Sequence, residues 1–189
     1  MDHPFLAQIE YIYSTDDNIY LIMKHYAGGD LSSLLNMSKS LKEDQIKFYS
    51  AQIALALTHL HSKHQIYRDI RPENILIDDQ GYIGLGDYGI PVLSEEGQND
   101  VISFFISPEY TPPEVVKGLP HNKIVDWWSF GILLYELRFG ITPFYSKNLN
   151  HIYQNICLKN LTFPFSNEFK VSISDNLKDL ITKVSLISY

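Results

Sequence analysis

Asp69, Asn74 and Asp87 stand 5 and 13 residues apart in a chain of 189 residues. Polar groups at Asp69, Arg71, Glu73 and Asn74 interrupt a run that is otherwise apolar as far as Ile77. Carboxylates set among apolar residues cost free energy to bury unless they are paired or bind a metal, so the cluster reads as a site. A carboxylate such as Asp69 can accept a proton. Asn74 and Asp87 offer oxygens of the hard kind that Mg2+ takes, and Arg71 adds a fixed positive charge. Taken singly, Asp69 is an ordinary turn or cap residue and Asp87-Tyr88-Gly89 a common tripeptide. Their order and spacing together make chance a poor account.

The elements that must position these groups are legible from periodicity and turn residues. Ile9 to Tyr13 and Ile19 to Lys24 read as the strands of a hairpin turning at Ser14–Asn18. Ala27-Gly28-Gly29 ends the second strand, and Asp30 caps a short helix through Leu35. Ser40 and Glu43 are placed for a capping box, opening a long helix with Ile46, Tyr49, Ile53, Leu57 and Leu60 on one face. Ile75 to Asp78 and Tyr82 to Leu85 form short strands around a turn at Asp79-Gln80-Gly81. Ser94 to Ser107 reads as a long functional loop. Ile124 to Phe139 is apolar nearly all round, as expected of a helix at the centre of a core, with Gly140 to stop it. Pro143 and Pro164 punctuate the chain beyond it, and Leu177 to Leu186 reads as a closing helix. Early strands followed mainly by helices give an α+β class.

Composition bounds the function. The chain is 45% hydrophobic and 13% aromatic, enough for a sizeable core and unlike a disordered segment. Fifteen basic against 22 acidic residues leave a net charge of −7. That balance argues against a general nucleic-acid binder or an anionic-membrane binder and suits basic peptide partners, although mild acidity also simply aids solubility. Cys157 is the single cysteine, so neither an internal disulfide nor a paired-cysteine metal site is expected. No signal sequence or membrane segment is visible, and a soluble cytoplasmic location is expected.

The segment Tyr67-Arg68-Asp69-Ile70-Arg71-Pro72-Glu73-Asn74, with Asp87-Tyr88-Gly89, resembles the catalytic loop and metal-binding loop of a protein kinase. The likeness extends over nearly the whole chain. His3-Pro4-Phe5-Leu6 resembles the entry to a small-lobe strand in the AGC group of serine/threonine kinases. Ser107-Pro108-Glu109-Tyr110-Thr111-Pro112-Pro113-Glu114 looks like the end of an activation segment, and Asp126-Trp127-Trp128-Ser129-Phe130-Gly131 like the start of the central large-lobe helix. The resemblance implies a protein-kinase-like fold: a two-strand small-lobe remnant and hinge over residues 1–29, and a large lobe over 30–189. It implies ATP and Mg2+, with transfer of the γ-phosphate to Ser or Thr of peptides rich in Arg or Lys. Asp69 would be the base, Asn74 and Asp87 the metal ligands, and Arg71 the phosphate contact. Met23 would be the gatekeeper, Lys24 and Tyr26 the backbone contacts to adenine, and Leu76 the floor beneath it. Asp126 would hold the loop's backbone. Asp30, Glu73 and Glu136 would bind substrate arginines, although a carboxylate near a helix end, as at Glu136, is more often simply solvated. Ser103 would be a regulatory phosphosite paired with Arg68.

The chain also departs from that pattern. No Gly-rich segment and no Val-Ala-Ile-Lys equivalent precedes the hinge, so weak or no transfer is expected of the isolated chain. Arg71 replaces Lys, Tyr88 replaces Phe, Val92 stands where a basic residue is usual, and Ile106 replaces Gly. Gly84 and Gly86 suggest local flexibility. Glu114 is expected to be buried without its Arg. Two other readings stay open: a non-catalytic, pseudokinase-like binding module, or a truncated gene fragment with exposed apolar surface.

Overall fold

The computed structural model describes residues 2–86, 107–164 and 171–185. Asp87, Tyr88, Val92, Ser103 and Ile106, and most of the expected 94–107 loop, lie outside the described residues.

The hairpin forms as its turn residues dictate. β1 (Ile9–Ser14) pairs antiparallel with β2 (Ile19–Met23), and the turn is closed by Thr15 N–H donating to Asn18 O and Asn18 N–H to Thr15 Oγ1. Both faces of this ribbon stay open: Tyr11, Ile12, Tyr13 and Ile19 are each more than 60% exposed. A second sheet has the order β3 (Gly29–Asp30), β4 (Ile75–Ile77) and β5 (Ile83–Leu85), antiparallel throughout. The glycines at 28 and 29 thus do more than end a strand, because Gly29 and Asp30 start a new pairing with β4. A parallel bridge from Leu6 to Leu85 ties the first residues to the same sheet.

Asp30 caps α1 (Leu31–Ser38), its Oδ1 accepting from Ser33 N–H at 2.7 Å. The helix runs three residues past the expected Leu35. The long helix α2 (Glu43–Ser62) buries Ile46, Ile53, Leu57 and Leu60 along its predicted face. Its cap differs from expectation. Lys42 is the N-cap residue and its N–H donates to Gln45 Oε1, since Gln45, rather than Glu43, is the third helical residue. Glu43 is left to tie α2 to a distant segment, its Oε1 accepting from Ser174 N–H at 2.7 Å.

The short α3 (Pro113–Val116) leads to the central α4 (Ile124–Phe139), buried on nearly every side. Gly140 caps it at φ +75°, a conformation that favours glycine. An added Cβ there would sit 2.3 Å from Lys39 O. α5 (Leu149–Leu158) is not among the elements expected from the sequence, although Asn148 caps it and Ile152 and Ile156 are its buried pair. The closing α6 (Asp175–Ser185) starts two residues before the predicted Leu177 and packs on α4, where Gly131 faces Ser185. Glu114 is half-buried, not fully buried as expected. The core joins α2, α4 and the inner face of β4–β5.

Candidate active site

Residues 66–74 leave α2 as irregular chain and close with a 3-10 turn at Pro72–Asn74. Irregular backbone in a core needs partners for its N–H groups. One side chain supplies them. Asp126, fully buried in the first turn of α4, accepts from Tyr67 N–H at 2.8 Å and from Arg68 N–H at 2.7 Å. His61 Nε2 lies 2.7 Å from the same carboxylate; as the carboxylate only accepts, that nitrogen carries the hydrogen. Arg68 adopts a positive φ of 68°, the bend that turns its N–H toward Asp126. The Tyr67 hydroxyl donates to Gly86 O, joining the loop to the end of β5.

Asp69 and Asn74 meet. Asn74 Nδ2 donates to Asp69 Oδ2 at 2.6 Å and to Asp69 O at 2.9 Å, which leaves the amide oxygen of Asn74 as the atom suited to a cation. Gly86 N–H donates to Asn74 O at 2.8 Å, so the residue before Asp87 is fixed to the loop, although Asp87 lies outside the described residues. Among the described residues no three His, Cys, Asp or Glu side chains cluster as a metal site. Arg71 Nε lies 3.4 Å from Asp69 Oδ2, an ion-pair contact in which the Nε hydrogen is not aimed at the oxygen. The same guanidinium donates through Nη1 to Ser107 Oγ at 3.1 Å, linking the loop to the 107–114 segment.

Beside the loop lies a group of carboxylates. Glu73 is exposed and accepts from Ser32 Oγ at 3.4 Å. Glu136, on α4, accepts from the Tyr110 hydroxyl, and Glu109 accepts from Thr142 Oγ1. Burial, then the charges of Glu73 and Glu109, push the Glu136 carboxyl up to about 7. Glu136 is therefore not the freely solvated helix-end carboxylate that its position in the sequence suggests. Asp30 serves as the α1 cap, and its Oδ1 is occupied by Ser33 N–H.

Met23 ends β2, half-buried. Exposed Lys24 pairs with Asp78 Oδ2 at 2.9 Å. Leu76 is half-buried, between the buried Ile75 and Ile77 of β4. Arg68 Nε is buried without a hydrogen-bond partner among the described residues, and desolvation lowers the guanidinium from its ordinary value while the Asp126 charge opposes that. Ser103, its expected partner, lies outside the described residues.

The protein kinase domain model matches residues 1–186. The chain belongs to the protein kinase family. It is 39% identical over 181 residues to the serine/threonine-protein kinase sgk-1 of Caenorhabditis elegans, covering 96% of this chain and 39% of that protein. It is 41% identical over 168 residues to a RAC family serine/threonine-protein kinase homolog of Dictyostelium discoideum, covering 87% and 37%. It is 40% identical over 183 residues to cAMP-dependent protein kinase type 3 of Saccharomyces cerevisiae, covering 97% and 45%. These relatives are kinases of the AGC group. The chain spans about two fifths of the length of these curated relatives.

Around the loop, Gln52, His61, Glu109, Tyr110 and Thr142 act as supporting groups that the sequence does not single out. Gln52 has a signal: it is a polar residue one position from the apolar stripe of α2. Its amide is buried between Phe48 O and Ile83 N–H. The others carry no local mark, because their partners are distant in the chain.

Proposed function

We propose that this chain carries the catalytic-loop side of a kinase that transfers the γ-phosphate of ATP to Ser or Thr in peptides rich in Arg or Lys, with residues 1–29 as hinge and small-lobe part and the remainder as large lobe. The observation that carries the reading is the Asn74–Asp69 hydrogen bond of 2.6 Å inside a loop whose backbone is held by a buried carboxylate. Asn74 fixes the Asp69 side chain, so that its carboxylate holds the substrate hydroxyl and accepts its proton. Asn74 Oδ1 and Asp87 would hold Mg2+, which when bound neutralises charge on the phosphates. Arg71, kept between Asp69 and Ser107, presents positive charge next to the reacting hydroxyl. Glu73 and Glu136, with Asp30 at the start of α1, receive substrate guanidinium groups. Ser103, once phosphorylated, would pair with the buried Arg68.

Transfer of labelled phosphate from Mg-ATP to an Arg-rich peptide tests this reading. The isolated chain is expected to be a slow catalyst whose activity disappears in Asp69→Ala. Activity that survives that substitution would remove Asp69 from its role. The carboxylate group near Glu136 needs no nucleotide, which favours a second reading as a peptide-binding module without turnover. Peptide binding with no measurable transfer under any nucleotide condition would select it.

A further inference from the structure

Gly84 has no positive φ to account for it, and the space around it gives the reason for a glycine. Leu76 and Gly84 stand directly opposite each other in the β4–β5 pair, so both project from the same face. Alternation sends Ile75, Ile77, Ile83 and Leu85 into the core and leaves Leu76, Gly84 and Gly86 on the opposite face of the sheet. A Cβ added at Gly84 would lie 2.1 Å from Tyr26 Oη, 2.3 Å from Cζ and 2.5 Å from Cε1. The phenol ring of Tyr26 therefore lies against the bare backbone of β5, on the face that carries Leu76. A Cβ at Gly86 would be 3.2 Å from Leu76 Cδ1, which places the Leu76 side chain over the next open position.

The ring is held there. Lys24 Nζ sits 5.6 Å from its centroid and binds Asp78 with the same ammonium group. Just beyond, Gly28 N–H donates to Ile77 O at 2.8 Å, and Gly29 and Asp30 pair with β4. The backbone of the segment can retreat from β5 only by breaking these links, so the side chain of Tyr26 is what must give way. A methyl group at position 84 would thus displace the hydroxyl end of this ring from its seat on β5.

We infer that Tyr26 and Gly84 are a matched pair that sets the depth and base selectivity of the nucleotide site, the seated ring forming the wall next to Leu76. This rests on the reading of the cleft as an ATP site. The flexibility expected of Gly84 is replaced by a steric role: the missing side chain makes room for an aromatic one from the hinge.

The test compares the 189-residue chain with its Gly84→Ala, Tyr26→Ala, Tyr26→Phe and Gly84→Ala/Tyr26→Ala forms. Thermal melting is measured for each, with competition by Mg-ATP and Mg-GTP against a fluorescent ATP analogue. Gly84→Ala is expected to lower the melting temperature and weaken ATP binding about tenfold. Both losses should largely vanish when Tyr26 is alanine. Tyr26→Ala alone should change the ATP-to-GTP affinity ratio about tenfold, whereas Tyr26→Phe should retain it. Undiminished losses from Gly84→Ala in the Tyr26→Ala background would overturn the pairing. An unchanged nucleotide ratio in Tyr26→Ala would overturn the base-site assignment while leaving the ATP reading intact. If the unsubstituted chain binds neither nucleotide, the ATP reading and the base-site assignment both fail, and the melting series alone decides whether ring and glycine are seated together.

Discussion

Replacing Glu136 with glutamine removes a charge that the fold holds at a disadvantage. The Glu136 carboxyl rises from 4.5 to about 7, first through burial and then through the charges of Glu73 and Glu109. The folded chain therefore binds this proton more tightly than the unfolded chain does. Stability contributed by the protonated form is present below about pH 4.5 and is lost as pH rises through about 7. At ~1.4 kcal/mol per unit, the penalty at pH 8 approaches about 3 kcal/mol. Glutamine keeps an oxygen for the Tyr110 hydroxyl and carries no charge. The variant should thus be more stable than the parent at pH 8, by up to about 3 kcal/mol, and little different near pH 4.5. Urea denaturation at several pH values between 4.5 and 8 measures this. A stability difference that stays constant across that range would refute the account of Glu136. The same substitution should weaken binding of an Arg-containing peptide, most at pH 8, where the parent carboxylate is charged.

Asp126→Ala leaves two loop N–H groups without their acceptor and should cost about 3 kcal/mol or more in stability while abolishing transfer; Asp126→Asn, which keeps one acceptor, should lose less stability in the same denaturation assay. Gln52→Ala strands Ile83 N–H, while Phe48 O keeps its helical partner, and should lower stability by about 1–3 kcal/mol, measured by urea unfolding. Gly131→Ala would place a Cβ 2.4 Å from Ser185 Oγ, and calorimetric melting should show a loss of about 1–3 kcal/mol as α6 is pushed from α4.

The parts legible in the sequence are those whose cause is local. Apolar residues on every side of Ile124–Phe139 can only be a central helix, and the spacing of Ile46, Ile53, Leu57 and Leu60 marks the buried face of α2. Asp69 and Asn74 are recognisable together because they share one loop. The α2 cap is ambiguous between two nearby polar residues, Glu43 and Gln45, which only the tether from Glu43 to Ser174 resolves. Helix α5 escapes notice because two prolines flank it and its apolar pair is short. The raised Glu136 carboxyl depends on Glu73 and Glu109 converging from separate segments, and nothing around position 136 announces them. Gly84 reads as flexible in the sequence since its occupant, Tyr26, is 58 residues away.

The hold of Asp126 on Tyr67 and Arg68 spans 59 and 58 residues of chain. During synthesis the loop leaves the ribosome well before the residue that anchors it. At roughly 5–20 residues per second, this delay is on the order of 3–12 seconds. Over that interval Asp69 and Asn74 exist as sequence without a fixed geometry. The order of the site is therefore set only once α4 has been made and can dock beside α2. A nascent chain halted before residue 126 should carry every residue of the loop and none of its arrangement.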